Sequence, residues 1–367
     1  MLARSSLLSR QPWIYRPGAD AVFILLPAFL ATAVVLAFPR FFADGAAMPP
    51  WFWLVFIVGI DVAHVYSTLW RTYFDPEEFQ KYRRPLLLIP LLSFVVGAGL
   101  YLLDGMLFWR ILAYLAVFHF IRQQYGFFSL YARKENRSLA ERRLDAAVIY
   151  ATTLYPLIYW HTHLPRNFNW FIEGDFGTLN LPGLSRAAGI IYGILIAIYL
   201  TKEISKVSRH GHLNLPKNLI LLGTAVSWYF GIVVANGDLA FTATNVVAHG
   251  IPYMALVWMY ERKKENRPAS AEVRRPHWLR RVFRVQYLPV FVGALLLFAY
   301  LEEALWDALV WRDHAGLFPW AESLPHLDQA GWLAVVVPLL ATPQVTHYLI
   351  DGFIWKMRKP SGDLRNV

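Results

Sequence analysis

The chain has 367 residues, 57% of them hydrophobic and 16% aromatic, with only 16% charged, against about 25% charged in an average soluble domain. Its mean hydropathy is +0.37, and apolar stretches recur to the C-terminus without a polar block, so residues 1–367 read as one integral membrane domain. The formal net charge is +10. The basic residues gather in short loops, where anionic lipid explains them and no nucleic-acid partner is needed. The absence of cysteine excludes disulfides, thiolate-held iron–sulfur clusters, covalent haem attachment and a thiolate nucleophile. No phosphate-binding loop, dinucleotide fingerprint or H-E-x-x-H motif occurs either.

The expected fold is all-α, a polytopic transmembrane helix bundle of about ten spans, each long enough to cross some 30 Å of hydrocarbon. In chain order the spans fall near 21–39, 50–70, 85–103, 107–131, 142–160, 184–201, 217–236, 241–260, 287–304 and 330–355. The first follows a polar stretch without a convincing cleavage site and is expected to be retained as a helix. After the second span, Arg71-Thr-Tyr-Phe-Asp-Pro-Glu-Glu starts a short helix or forms a docking loop. Segments 161–183 and 303–329 are longer than a turn requires. Their aromatics and acids suit outer interfacial loops that lie at the headgroup level and cover an entrance. Segment 261–286 is a basic cytoplasmic loop, expected to lie as an amphipathic strap on the inner leaflet.

Orientation follows from the positive-inside rule. With both termini cytoplasmic, the inner segments hold 29 of the 35 Lys and Arg residues. Arg40, Arg110, Arg166, Arg186 and Arg312 fall near the outer side, and Arg122 lies inside a span. The expected location is a bacterial inner membrane.

Ionisable side chains at membrane depth are costly and mark functional sites. Four histidines lie inside spans: His64, His119, His249 and His347 in the second, fourth, eighth and tenth. All four spans run in the same direction, which puts the imidazoles at comparable depth. Each has a polar companion three or four residues away, on the same helix face: Asp61, Gln123, Asn245 and Asp351 respectively. Pro252 and Pro343 free backbone carbonyls near two of them.

Nitrogen and carboxylate donors without sulfur suit iron, manganese, zinc or copper, and a His-rich site with an open position is the set used by non-haem iron oxygenases. The expected cofactor is therefore a metal ion, iron by preference, with Asp61 and Asp351 as ligands or as acceptors that orient the imidazoles. The activity would be a metal-dependent oxidoreductase or oxygenase, acting on a lipophilic substrate drawn from the surrounding lipids and served by an electron donor on the cytoplasmic side. Arg122, one turn from His119, would hold an anionic headgroup or pair with Asp61 or Asp351. Three other readings stay open. The histidines could be axial ligands of haem b or part of a quinone redox protein, they could belong to a proton-coupled transporter, or they could bridge helices by hydrogen bonds. His161 and His163 in the outer loop read as a solvated pair, with a surface metal site as the alternative.

Overall fold

The computed structural model describes residues 11–265 and 276–355. Over these residues the chain is all-helical, 78% helix without a strand. Ten helices are long enough to matter for the site: α1 (Pro17–Ala37), α2 (Pro50–Arg71), α3 (Arg83–Leu103), α4 (Gly105–Tyr131), α5 (Leu139–Thr162), α6 (Leu184–His210), α7 (Leu215–Val234), α8 (Asp238–Glu265), α9 (Val285–Trp311) and α10 (Ala330–Ile354). Eight are apolar enough to cross a membrane; α5 and α8 have the length but not the composition.

The peripheral helices account for the composition. On α6, Ile190, Ile191 and Ile194 are more than half exposed, as are Leu87, Leu91 and Val95 on α3. A soluble protein does not leave such belts in water. They belong in lipid, and the chain is an integral membrane protein. Helix α8 has the opposite character: residues 239–250 are buried without a break. It touches protein rather than lipid, so Thr242, Thr244 and Asn245 are tolerated there and its hydropathy falls.

α8 lies between α1, α2 and α7, α9 packs on α2, α10 lies along α3, and α5 pairs with α6. The contacts fix relative directions. From α2 to α8 they run His64 to His249, Thr68 to Tyr253 and Arg71 to Tyr260. From α4 to α10 they run Phe108 to Val337 and His119 to Tyr348. From α2 to α10, His64 meets His347 and Arg71 meets Trp355. Helices α2, α4, α8 and α10 are thus parallel to one another, as the shared direction of the histidine spans requires.

Close approach of α2 and α8 depends on Gly250. A Cβ there would stand 2.7 Å from Ile60 Cγ2 and 2.9 Å from Ile60 O, distances that no side chain tolerates without backbone movement. Gly250→Ala is therefore expected to lower stability by about 1–3 kcal/mol and to move His249 away from His64. Thermal unfolding of the purified variant in neutral detergent checks the first effect. An unchanged midpoint would show that the helices separate without strain.

Several expected boundaries shift. The ninth span does not end at residue 304: α9 continues to Trp311, its last turn π-helical from Asp307, so Glu303 and Trp306 are helical rather than in a loop. Segment 163–183 folds inward, with Phe168 and Phe176 buried and Arg166 donating to the carbonyls of Ile232 (2.8 Å) and Ala235 (2.6 Å). Asp75 caps a short helix, Pro76–Lys81, which Arg71 and Lys264 hold through Glu78 at 2.9 and 3.2 Å. Of the basic segment 261–286, residues 261–265 extend α8, His277–Val282 form one short helix, and 266–275 lie outside the described residues.

Candidate metal centre

His64, His119, His249 and His347 come from four helices and meet in the interior. Each is at most 4% exposed, and each offers a ring nitrogen within 4.8 Å of the nitrogens of the other three. His64 Nε2 and His249 Nε2 are 3.1 Å apart. First-row ions hold imidazole nitrogen at about 2.0–2.1 Å, so ligands opposite one another stand about 4.0–4.2 Å apart and tetrahedral neighbours about 3.3–3.4 Å. The spread of up to 4.8 Å is somewhat wider than this, so the four nitrogens would close in by a few tenths of an ångström around one ion. Neighbouring rings meet edge-on, with centroids 4.6 Å apart for His64 and His249, 4.9 Å for His64 and His347, 4.5 Å for His119 and His347 and 5.0 Å for His119 and His249, while His64 and His119 lie across from one another at 6.5 Å.

Local sequence explains how the imidazoles arrive there. Residues Leu54–Val62 of α2 form a π-helical stretch that ends just before His64, a wide-turn geometry frequent at functional sites. In α8, Pro252 has no N–H to give the carbonyl of Ala248. Gln124 Nε2 supplies a donor at 3.4 Å, and Gln123 Nε2 reaches the His249 carbonyl at 2.8 Å. Gln123 thus anchors α4 to α8 beside two histidines rather than turning its own acceptor to His119.

The hydrogen bonds of His347 determine which nitrogen it presents. Tyr253 donates to Asp351 Oδ1 at 2.5 Å. Its single proton is thereby used, so the Thr68 hydroxyl, 3.0 Å away, donates to the Tyr253 oxygen. Thr68 Oγ1 is then the acceptor for His347 Nδ1–H at 2.7 Å. The chain leaves His347 Nε2 with its lone pair free, and that atom is buried without a hydrogen-bond partner, as is His119 Nε2, while His64 and His249 turn their Nε2 atoms to each other. A buried imidazole without a partner is costly. Two unpartnered Nε2 atoms beside a facing pair of Nε2 atoms could hold a cation that accepts their lone pairs.

The carboxylates stand outside this cluster. Asp61 Oδ1 is 3.8 Å from His64 Nδ1, while Asp351 is 3.8 Å from His347 Nδ1 and 4.0 Å from His119 Nδ1. Among the described residues the candidate ligand grouping is four histidines without a carboxylate, and Asp61 and Asp351 stand beside the rings on their Nδ1 sides. Arg122 is not part of the site. It donates to Tyr150 OH at 2.5 Å on the exposed side of α4 and lies 5.3 Å from the Tyr125 ring centre, because its place on the helix turns it away from His119. His161 is buried, contrary to a solvated pair. Its Nδ1–H donates to the Leu157 carbonyl and its Nε2 meets Tyr114 OH at 2.8 Å, while His163 Nδ1 lies 2.8 Å from the Tyr159 carbonyl.

A cavity of about 380 Å³ adjoins the cluster on the side expected to face outward. Asp61, Asn245 and Gln344 line it, each three or four residues before a histidine. None of the four histidines lines it. Phe120 stands between, lining the cavity and stacking on His249 with centroids 3.5 Å apart. Residues 167–171 form part of its wall, as does Glu303. Glu302 and Glu303 are buried carboxylates missed by the sequence reading, as were Thr68 and Tyr253. Glu302 accepts from Tyr66 OH at 2.5 Å. Their signal, two acids near the end of a long apolar run, is legible only when the helix is known to continue past residue 304.

No protein-family model matches the chain, and the comparisons with curated proteins and with solved structures found no match.

Proposed function

We propose that the chain is a membrane-embedded, metal-dependent oxidoreductase, in which His64, His119, His249 and His347 together hold one transition-metal ion and the substrate is lipophilic. The observation that carries this reading is the meeting of four buried imidazoles, one from each of four parallel helices, with ligand atoms within 4.8 Å. Neutral nitrogen donors without thiolate suit iron, and such an ion supplies redox chemistry or polarises a substrate oxygen. The protein's own part is to fix the imidazoles. The Asp351–Tyr253–Thr68 chain orients His347, and the apolar bundle keeps bulk water from the centre. The gathering of four ligand nitrogens within 4.8 Å favours a single ion over two haems, each of which would need a slot between two imidazoles. The acids in the adjoining cavity are the one feature that favours a proton-coupled transporter, yet the cavity meets Phe120 rather than passing between the histidines.

Metal analysis of the purified protein with an absorption spectrum tests the reading. Bound iron near one equivalent without a Soret band is expected; a Soret band would select haem, and metal at background would remove the centre.

The proposal includes about ten spans, both termini on the cytoplasmic side of a bacterial inner membrane, and an electron donor that approaches from that side. Reporters fused after residues 75, 137, 210, 270 and 365 are expected to read cytoplasmic, and those after 45, 170 and 315 outside. The support is the excess of Lys and Arg in the alternate segments. An outside signal at 270 would break the order of spans in the second half.

A further inference from the structure

The cavity beside the histidines is built unlike the rest of this basic chain. The protein has a formal net charge of +10, yet the cavity is lined by the carboxylates of Asp61, Asp238 and Glu303 and by no lysine, arginine or histidine. Asp61 is 32% exposed at its side chain, and that exposed part is toward the cavity. Glu303 is only 9% exposed, and it pairs with no lysine or arginine among the described residues. Asp61 and Glu303 act on one another electrostatically, and carboxylates at membrane depth repel one another and are poorly solvated.

An independent observation points to the missing partner. Asn245 is 2% exposed and lines the same cavity. Its amide nitrogen donates to the Phe241 carbonyl at 3.1 Å and approaches Thr244 Oγ1 at 3.2 Å, which leaves Oδ1 as a buried acceptor without a donor. Acids and orphan acceptor alike ask for N–H groups bearing positive charge. Trp53, Trp109 and Trp306 complete the wall, and indole faces attract cations more strongly than other aromatic rings do.

We propose that this cavity binds an organic ammonium ion, the headgroup of an amphiphilic primary amine. Glu303 and Asp61 are its counter-ions, Asn245 Oδ1 accepts one of its N–H groups, the indoles flank it, and Asp238, about two helical turns from Asn245 on α8, adds negative field at the cavity's far end. The inference rests on the reading of the histidine cluster as a catalytic centre and names the class of substrate that would wait outside Phe120 and reach that centre by displacing its ring. A free fatty acid is disfavoured in the same site, since its carboxylate would meet two of its own kind.

The test is a tryptophan-fluorescence titration of the full-length protein in neutral detergent with hexylamine, hexan-1-ol and hexanoate near neutral pH. Saturable binding of the amine is expected, with the alcohol weaker by about tenfold or more and hexanoate not bound; one charge-assisted hydrogen bond accounts for that ratio. Glu303→Gln should weaken the amine by a similar factor and leave the alcohol unchanged, while its metal content stays at the parent level. Glu303→Ala takes its place should Glu303→Gln fail to elute as a single species. Equal binding of amine and alcohol, or a variant that binds the amine like the parent, would overturn the proposal. Failure of the two readings is separable. Amine binding by a protein without metal removes the metal centre alone, and a metal-loaded protein indifferent to charge removes the ammonium site alone.

Discussion

Replacement of any one of His64, His119, His249 or His347 by alanine is expected to remove most of the bound metal and all metal-dependent turnover. Each imidazole supplies one of four nitrogens in a cluster confined within 4.8 Å, and no carboxylate among the described residues stands close enough to substitute for a lost nitrogen. The four losses should not add: a double variant should be no worse than a single one, because the ligands act as a unit. Imidazoles that only bridged helices would behave otherwise. Each would contribute about 0.6–2 kcal/mol of stability on its own, double variants would sum, and the parent itself would carry metal at background. Metal stoichiometry by mass spectrometry and thermal unfolding of the same samples distinguish the two patterns. Retention of full metal by even one of the four alanine variants would remove that histidine from the ligand set.

How much of this was legible beforehand depended on what kind of signal each residue leaves. The four histidines were legible because polar groups stand out within apolar runs, and their common direction followed from span counting. Their companions were legible as neighbours but not in role. Helical spacing puts Asp61 on the His64 face and Asp351 on the His347 face, yet it cannot say on which side of the ring the carboxylate lies; both lie toward Nδ1. Arg122 misled for the same reason. It is three residues from His119, but α4 is exposed on that flank and Tyr150 of α5 is the nearer partner.

Tertiary pairings left no such signal. Thr68 and Tyr253 are common residues in membrane helices, and only the close packing of α2, α8 and α10 joins them. The end of α9 was misplaced because Glu302 and Glu303 look like the start of a polar loop. They are helical and buried instead, with Tyr66 as partner for one and a cavity for the other. Hydropathy also misrepresents α8: its first turns are surrounded by protein, and a helix that does not face lipid need not be apolar. The residue that lets it sit there, Gly250, is one glycine among 22, and only the proximity of the Ile60 backbone sets it apart.

Thr68→Val, Tyr253→Phe and Asp351→Asn are each expected to lower metal affinity by about 10- to 100-fold, the usual cost of removing a hydrogen bond that orients a ligand. In the proposed centre none of the three side chains is a ligand and all act through His347. Asp351 accepts the Tyr253 proton, which obliges Thr68 to donate to Tyr253 and to accept from His347 Nδ1–H, so that Nε2 keeps its lone pair toward the other imidazoles. Valine at position 68 leaves the Nδ1–H without an acceptor and frees the ring to adopt the other tautomer. Phenylalanine at 253 removes the acceptor of the Thr68 hydroxyl, which can then turn its proton toward Nδ1 and compete for it. Asparagine at 351 takes away the charge that anchors the chain and offers an amide group in its place. Since the three act on one atom, pairs of these substitutions should cost little more than the worst single one. Metal affinity measured by competition with a chelator separates this from a loss of packing, which would lower the unfolding temperature without moving the affinity. An Asp351→Asn protein that binds metal as tightly as the parent, beside a Thr68→Val protein that does not, would show that the orientation of His347 is set at Thr68 and that the chain beyond it serves only to hold α8 to α10.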